Sequence, residues 1–160
     1  MKLLIFSDSH GSLQPMRDAI TLERPDVVIH LGDYARDAEE LSYDFTGLPI
    51  LSVRGNCGLA EPPRSEVLVR TFEGVKIFGV HGHRHGVKSG LLRLELAARE
   101  ENAQLALFGH THVSYCREYE GLWLLNPGTC GGCCPTYGIA ILENGTVQCR
   151  VRNLYTEEGK

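Results

Sequence analysis

The sequence predicts a mixed α/β sandwich, two packed sheets with helices outside, and two observations lead there. In the first half, short continuous apolar runs alternate with amphipathic stretches, the pattern of parallel strands joined by helical crossovers. In the second half, Glu73-Gly74, Glu120-Gly121 and Asn144-Gly145 each separate two apolar runs, the pattern of antiparallel hairpins.

The elements follow in order. Residues 2–7 are a continuous apolar run and read as a buried strand. Ser12 is placed to cap a helix that carries Leu13, Met16, Ala19 and Ile20 on one side. Pro15 is tolerated in its first turn, and Pro25 ends the stretch. Residues 26–31 read as the second buried strand, 36–43 as a short helix and 49–53 as the third strand. Residues 66–72 and 75–80 form the first hairpin. Ser89 is expected to cap a helix over about 90–102, and 105–108 is another short buried strand. Residues 113–119 pair with 122–126, and 136–142 with 146–152. Residues 61–64 read as a loop. No repeat or linker divides the 160 residues, so one domain over 1–160 is expected.

Composition narrows the function. Apolar residues make up 42% and charged residues 22%, ordinary globular values. A net charge of −4 lacks the basic footprint of a general nucleic-acid binder, so nucleic acid is not the expected partner. No apolar run approaches the roughly 20 residues that span a bilayer. Residues 1–8 read as a buried strand rather than a secretory leader, and a cytoplasmic protein is expected. The six cysteines are expected as free thiols in that setting. The oligomeric state stays open, a homo-oligomer included.

The polar residues most out of place sit just after the predicted buried strands. Asp8 and His10 follow the first, Asp33 the second and Asn56 the third; His81 and His83 follow the strand at 75–80, and His110 and His112 the one at 105–108. In open α/β sheets, ligands collect beyond the carboxyl ends of the strands. Glycines beside several of these residues let backbone and ligand approach closely. Each piece alone has a bland reading as a turn or helix cap. Together, imidazole and carboxylate from five strand ends suit first-row divalent ions, with manganese or iron as credible as zinc, and nickel and cobalt as further candidates. Seven ligands, these residues without His83, exceed what one tetrahedral ion needs. They suffice for two ions that share a carboxylate, the arrangement that clamps both oxygens of an in-line displacement at phosphorus.

The order Asp-X-His, Gly-Asp, Gly-Asn, His-Gly-His, Gly-His-Thr-His resembles the calcineurin-like metallophosphoesterase superfamily, from residue 3 to about 142. Gly55-Asn56-Cys57, the short chain and Asn126-Pro127-Gly128 resemble its small bacterial and archaeal phosphodiesterase branch. The resemblance implies a four-layer αββα sandwich of two mixed sheets flanked by helices. It implies that Asp8, His10 and His112 bind one metal, that Asn56, His81 and His110 bind the other, and that Asp33 bridges them. A bridging hydroxide would attack phosphorus in a small phosphate ester, chiefly a diester and weakly a monoester. Mn2+ is the first candidate metal, before Fe2+, Zn2+, Ni2+ and Co2+. Asn56 would also steady a phosphoryl oxygen.

Two positions depart from the wider superfamily. Many members have a histidine after the asparagine that assists the leaving group; here Cys57 stands there, as in the small branch. A thiol, with a pKa of about 8.5, donates a hydrogen bond less well than imidazolium, so His83 is the candidate substitute. Gly58 replaces a carboxylate common in the branch, which removes a contact that would orient a ligand. Other residues have plainer readings. His30 packs under the site and donates to a carboxylate or backbone, His85 faces solvent, and Trp123 lies in a core strand. Cys130, Cys133 and Cys134 are free thiols in a Gly-rich loop; a zinc site there lacks a fourth ligand. Substrate choice is expected in loops 57–65, 84–90 and 128–135. The competing functions are a nuclease of the same superfamily and a non-catalytic protein-binding scaffold on the same fold.

Overall fold

The computed structural model describes residues 1–57 and 65–156. Two five-stranded sheets face each other. The first takes β1 (Lys2–Phe6), β2 (Val27–His30) and β3 (Ile50–Ser52) from the first half of the chain, with α1 (Leu13–Glu23) and α2 (Ala35–Asp44) as crossovers. The second takes β4 (Val67–Phe72), β5 (Val75–Val80), β6 (Leu105–Leu107), β7 (Tyr115–Tyr119) and β8 (Leu122–Asn126), with α3 (Leu92–Glu100) between β5 and β6. The last hairpin, β9 (Thr136–Glu143) and β10 (Thr146–Asn153), returns to the first sheet, in the order β10-β9-β1-β2-β3. The second sheet runs β4-β5-β6-β8-β7.

Residue alternation makes the four layers. Successive side chains of a strand point to opposite faces. Leu3 and Ile5 therefore meet Leu68, Ile77, Leu105 and Leu107 between the sheets. Leu4 and Phe6 meet Met16, Ala19 and Ile20 of α1 and Leu41 of α2 on the outside. On the far side Phe78, Val80 and Ala106 meet Leu94 and Ala98 of α3. A strand covered on both faces must be apolar at every residue, which is why β1 and β2 read as unbroken runs.

The hairpin turns form where the sequence placed them. Glu73-Gly74, Glu120-Gly121 and Asn144-Gly145 all have positive φ at both residues, the backbone that matches strand twist in a two-residue turn. Two helix starts differ in detail from expectation. Ser12 stands at the N-cap of α1 but makes no side-chain capping bond. Ser89 does not cap α3, whose N-cap is Leu91. Ser89 instead closes a turn, its N–H on the Gly86 carbonyl at 2.8 Å, and the helical bond from the Glu95 N–H reaches back only to the Leu91 carbonyl, at 2.9 Å.

Strands β1, β2 and β3 pair in parallel, as do β5, β6 and β8. The loops after β1, β2 and β3 and those after β5 and β6 thus meet at one rim. Backbone bonds tie them: Asp8 N–H to the Gly32 carbonyl at 3.2 Å, and Gly109 N–H to the His81 carbonyl at 3.0 Å.

Candidate metal centre

Each strand end contributes a turn that holds a side chain still. Asp8, His10, Asp33, His110 and His112 all have left-handed backbone, with φ of 54°, 48°, 58°, 68° and 60°. Such a conformation is uncommon for a residue with a Cβ, and its clustering at one rim makes that rim the candidate site. Glycine supplies the clearance. A Cβ on Gly55 would fall on the carboxylate and backbone nitrogen of Asp33, and a Cβ on Gly109 would fall on Ser7 and within 2.9 Å of Asp8 Oδ2.

Asp8 is fully buried. Its Oδ2 accepts from the Ser7 hydroxyl at 2.6 Å and from the His110 N–H at 3.0 Å. Its Oδ1 has no hydrogen-bond partner among the described residues. That bare oxygen lies 3.2 Å from His112 Nε2 and 4.0 Å from His81 Nε2. His112 Nε2 in turn lies 3.5 Å from His10 Nε2. The ligand atoms of Asp8, His10 and His112 fall within 4.8 Å of one another, and so do those of Asp8, Asp33 and His81.

The tautomer of His81 is fixed by its back side. Nδ1 lies 2.8 Å from the Leu31 carbonyl, which only accepts, so Nδ1 carries the proton. In the neutral ring Nε2 then presents a lone pair to Asn56 Oδ1 at 2.9 Å, Asp33 Oδ1 at 3.5 Å and Asp8 Oδ1 at 4.0 Å. Oxygens converging on a nitrogen lone pair, beside a buried carboxylate oxygen with no donor, fit a divalent cation. Burial pushes the Asp33 carboxyl up, but the Cys57 N–H, the charge of His81 when its ring is protonated, the Cys57 thiol and the Asn56 N–H outweigh it and hold it below the ordinary carboxylate value. Asp33 is thus ionised at neutral pH.

The other expected site residues line this group. His110 packs against His81 and His83, with ring centroids 5.1 and 6.1 Å away; burial, then the neighbouring His81, depress its pKa. His83 is half-buried, 5.5 Å from the His81 ring, and its pKa is also depressed, first by burial and then by His81. It is therefore neutral at pH 7. Cys57 donates its N–H to Asp33 Oδ1 at 2.9 Å, and the Asn56 amide nitrogen donates to its sulfur at 3.4 Å. Gly58 and the loop over 61–64 lie outside the described residues.

His85 does not face solvent as expected: it is half-buried, its ring edge-on to Phe78 at 5.9 Å. Trp123 packs on the core between the sheets. All six cysteines are free. Cys130 lies in the loop between β8 and β9 as expected, but its side chain is buried in the α1 core, where burial pushes its pKa up to about 12. Cys133 and Cys134 are exposed.

Sequence reasoning missed the supports. His30 does pack under the site, with a hydroxyl and a backbone N–H among its partners. Its Nδ1 accepts from the Gly32 N–H at 3.3 Å, so Nε2 donates to the Ser9 hydroxyl at 3.0 Å. Ser9 donates to Asp37 Oδ2 at 2.6 Å, and the same oxygen accepts from the Gly11 N–H at 2.8 Å. This buried chain ties the loop of Asp8 and His10 to β2 and α2. Thr129 donates to the Asp8 carbonyl at 2.8 Å, and Asn126 holds the Gly109 carbonyl at 3.1 Å. The serine inside Asp8-Ser9-His10 was the available signal, since a small hydroxyl between two ligands must itself be partnered once buried.

The profile of the calcineurin-like phosphoesterase superfamily domain matches residues 1–145. A probable metallophosphoesterase of Bacillus subtilis is 33% identical over 131 residues, covering 81% of this chain and 75% of that protein. A phosphodiesterase of Methanocaldococcus jannaschii is 30% identical over 162 residues, covering 89% and 94%. Among solved structures, a predicted phosphoesterase of Streptococcus pneumoniae superposes with a TM-score of 0.79 at 25% identity, covering 96% of this chain and 89% of that one. Vps29 of Entamoeba histolytica in complex with zinc superposes at 0.75 and 20% identity, covering 96% and 99%, a likeness of fold alone. No helix among the described residues is long and apolar enough to cross a membrane. With the profile spanning nearly the whole chain and the site's residues gathered at one rim, this protein belongs to the calcineurin-like phosphoesterase superfamily.

Proposed function

We propose that this chain is a dinuclear metal-dependent phosphodiesterase acting on small phosphate esters, with Mn2+ as its first candidate metal, and that residues 1–160 act as one domain. The observation that carries this reading is Asp8 Oδ1: buried, without a donor among the described residues, and facing both His112 and His81. Asp8, His10 and His112 would hold one ion. Asn56, His81 and His110 would hold the other, and Asp33 would be shared, with Asp8 close to both groups. When bound, such ions supply Lewis acidity and a lowered pKa for water.

The chain's own residues do the rest. Leu31, through its carbonyl, holds His81 in the tautomer that frees Nε2. Ser7 and the His110 N–H occupy one oxygen of Asp8 and leave the other free. The Cys57 N–H keeps Asp33 ionised and fixed. Asn56 would steady a phosphoryl oxygen, and Cys57, which touches both Asn56 and Asp33, would face the leaving group. The homologous phosphodiesterase supports the diester assignment. The test is hydrolysis of bis-p-nitrophenyl phosphate by chelator-treated protein with and without added Mn2+. Turnover that depends on the added ion is expected; turnover after full chelation, or none under any metal, would refute the reading.

A further inference from the structure

Tyr34 follows Asp33 in the loop between β2 and α2, at φ 61° and ψ 56°. Asp33 has a reason for its left-handed backbone, since its carboxylate must reach Cys57 and His81. Tyr34 has none in packing. It is 46% exposed and belongs to no core cluster. It forms the N-cap of α2 without a side-chain capping bond. A bulky residue in this region is an outlier, and asparagine or glycine would occupy it at less cost. Its ring contact among the described residues is edge-on to His10, centroids 5.3 Å apart at 71°. His10 continues to His112 at 5.2 Å. Three rings thus run from the rim to Asp8, with Tyr34 outermost and open.

We infer that Tyr34 contacts substrate and is the aromatic wall that receives a planar ring on the phosphate ester; this rests on the phosphoesterase reading above. Cys57 and Asn56 stand with His81, on the side assigned to the leaving group. Tyr34 stands with His10 and His112, so the ring it meets is on the alcohol that stays with phosphorus. Aromatic pairs gain energy beyond their buried area, which a saturated group of similar size does not reproduce. The substrate class is therefore a diester whose retained alcohol is aromatic or heteroaromatic.

Phenyl p-nitrophenyl phosphate and methyl p-nitrophenyl phosphate share a leaving group, so release of p-nitrophenolate reports the retained group alone. The wild-type chain is expected to show a KM about tenfold lower for the phenyl ester. Tyr34→Phe should keep that ratio, and Tyr34→Leu and Tyr34→Asn should bring it close to unity. Tyr34→Asn should also raise the Tm of the metal-free chain by about 3 °C, because asparagine tolerates the left-handed backbone. A ratio unchanged by Tyr34→Leu overturns the inference alone. A lowered Tm in Tyr34→Asn shows a structural role and overturns it too. Hydrolysis of neither ester by the wild-type chain overturns the phosphoesterase reading and this inference with it.

Discussion

Replacing Asp37 by alanine and by asparagine separates a charge from a hydrogen-bond acceptor beneath the metal centre. Among the described residues both bonds to this side chain end on one oxygen: Oδ2 accepts from the Ser9 hydroxyl at 2.6 Å and from the Gly11 N–H at 2.8 Å. Asparagine with its amide oxygen in that place keeps both donors satisfied and loses only the assistance of charge, about 1 kcal/mol. Alanine leaves both without an acceptor. Bonds to a charged group contribute about 1.5–3 kcal/mol each. The Ser9 hydroxyl can turn towards the Asp33 carbonyl, 3.5 Å away, and Gly11 is exposed enough for water to reach, so about 3 kcal/mol in total is expected rather than the full sum. For a chain of this length each kcal/mol shifts Tm by roughly 2–4 °C. Asp37→Asn should therefore lower Tm by about 3 °C and Asp37→Ala by about 9 °C. Calorimetry on the chelator-treated chain reads this without any contribution from bound metal. The variants should rank the same way in Mn2+ affinity, because Ser9 lies between Asp8 and His10. Equal losses from alanine and asparagine, or a Tm unchanged by alanine, would refute the claim that this buried chain holds the ligand loop.

Three other outcomes are expected. Asp33→Asn should cost more Mn2+ affinity and more turnover than any single histidine replacement, since Asp33 is assigned to both ions; titration calorimetry and steady-state kinetics check it, and near-normal turnover would refute the assignment. Rate against leaving-group pKa should be steep in the wild-type chain, where a thiol stands beside Asn56, and Cys57→His should flatten it by raising rates on alkyl esters, with general-acid help worth about 10²–10⁴-fold at most. No gain from histidine with a shallow wild-type slope would assign the acid elsewhere. Burial pushes the Glu23 carboxyl up, but bonds from Lys2, Tyr137 and Arg152 hold it below its ordinary 4.5, so its stabilisation is present above about that pH and is lost as pH falls through the lower folded value. Urea unfolding of Glu23→Gln should show a deficit against wild type at pH 7 that closes in acid; a deficit independent of pH would refute it.

Much of the fold was legible because local signals and burial agreed. Leu3-Leu4-Ile5-Phe6 is apolar at every residue because one pair faces the other sheet and the other faces α1. Two positive φ values at each X-Gly turn fixed three hairpins. The start of α3 lies beyond Ser89 because Ser89 resembles a cap in sequence, whereas in the fold it closes a turn onto Gly86 and Leu91 takes the N-cap. In the site, strand-end placement identified which side chains gather. It could not show that Asp8 stands at the vertex common to both three-residue groups, which depends on how far each carboxylate reaches across the gap between sheets. Nor could it show Ser9, Asp37 and Thr129, whose roles arise from partners 28 and 121 residues away in sequence. Cys130 read as a loop thiol because its neighbours are glycines, yet its side chain turns inward beside Tyr137.

The central claim is that the side chains gathered around Asp8 and Asp33 hold two metal ions. Elemental analysis of chelator-stripped protein, reconstituted with excess Mn2+, freed of unbound ion and assayed in parallel on a diester, tests it most directly. Two Mn2+ per chain in the active preparation, with turnover rising as the second equivalent binds, is the predicted result. Full turnover with at most one ion per chain would contradict it.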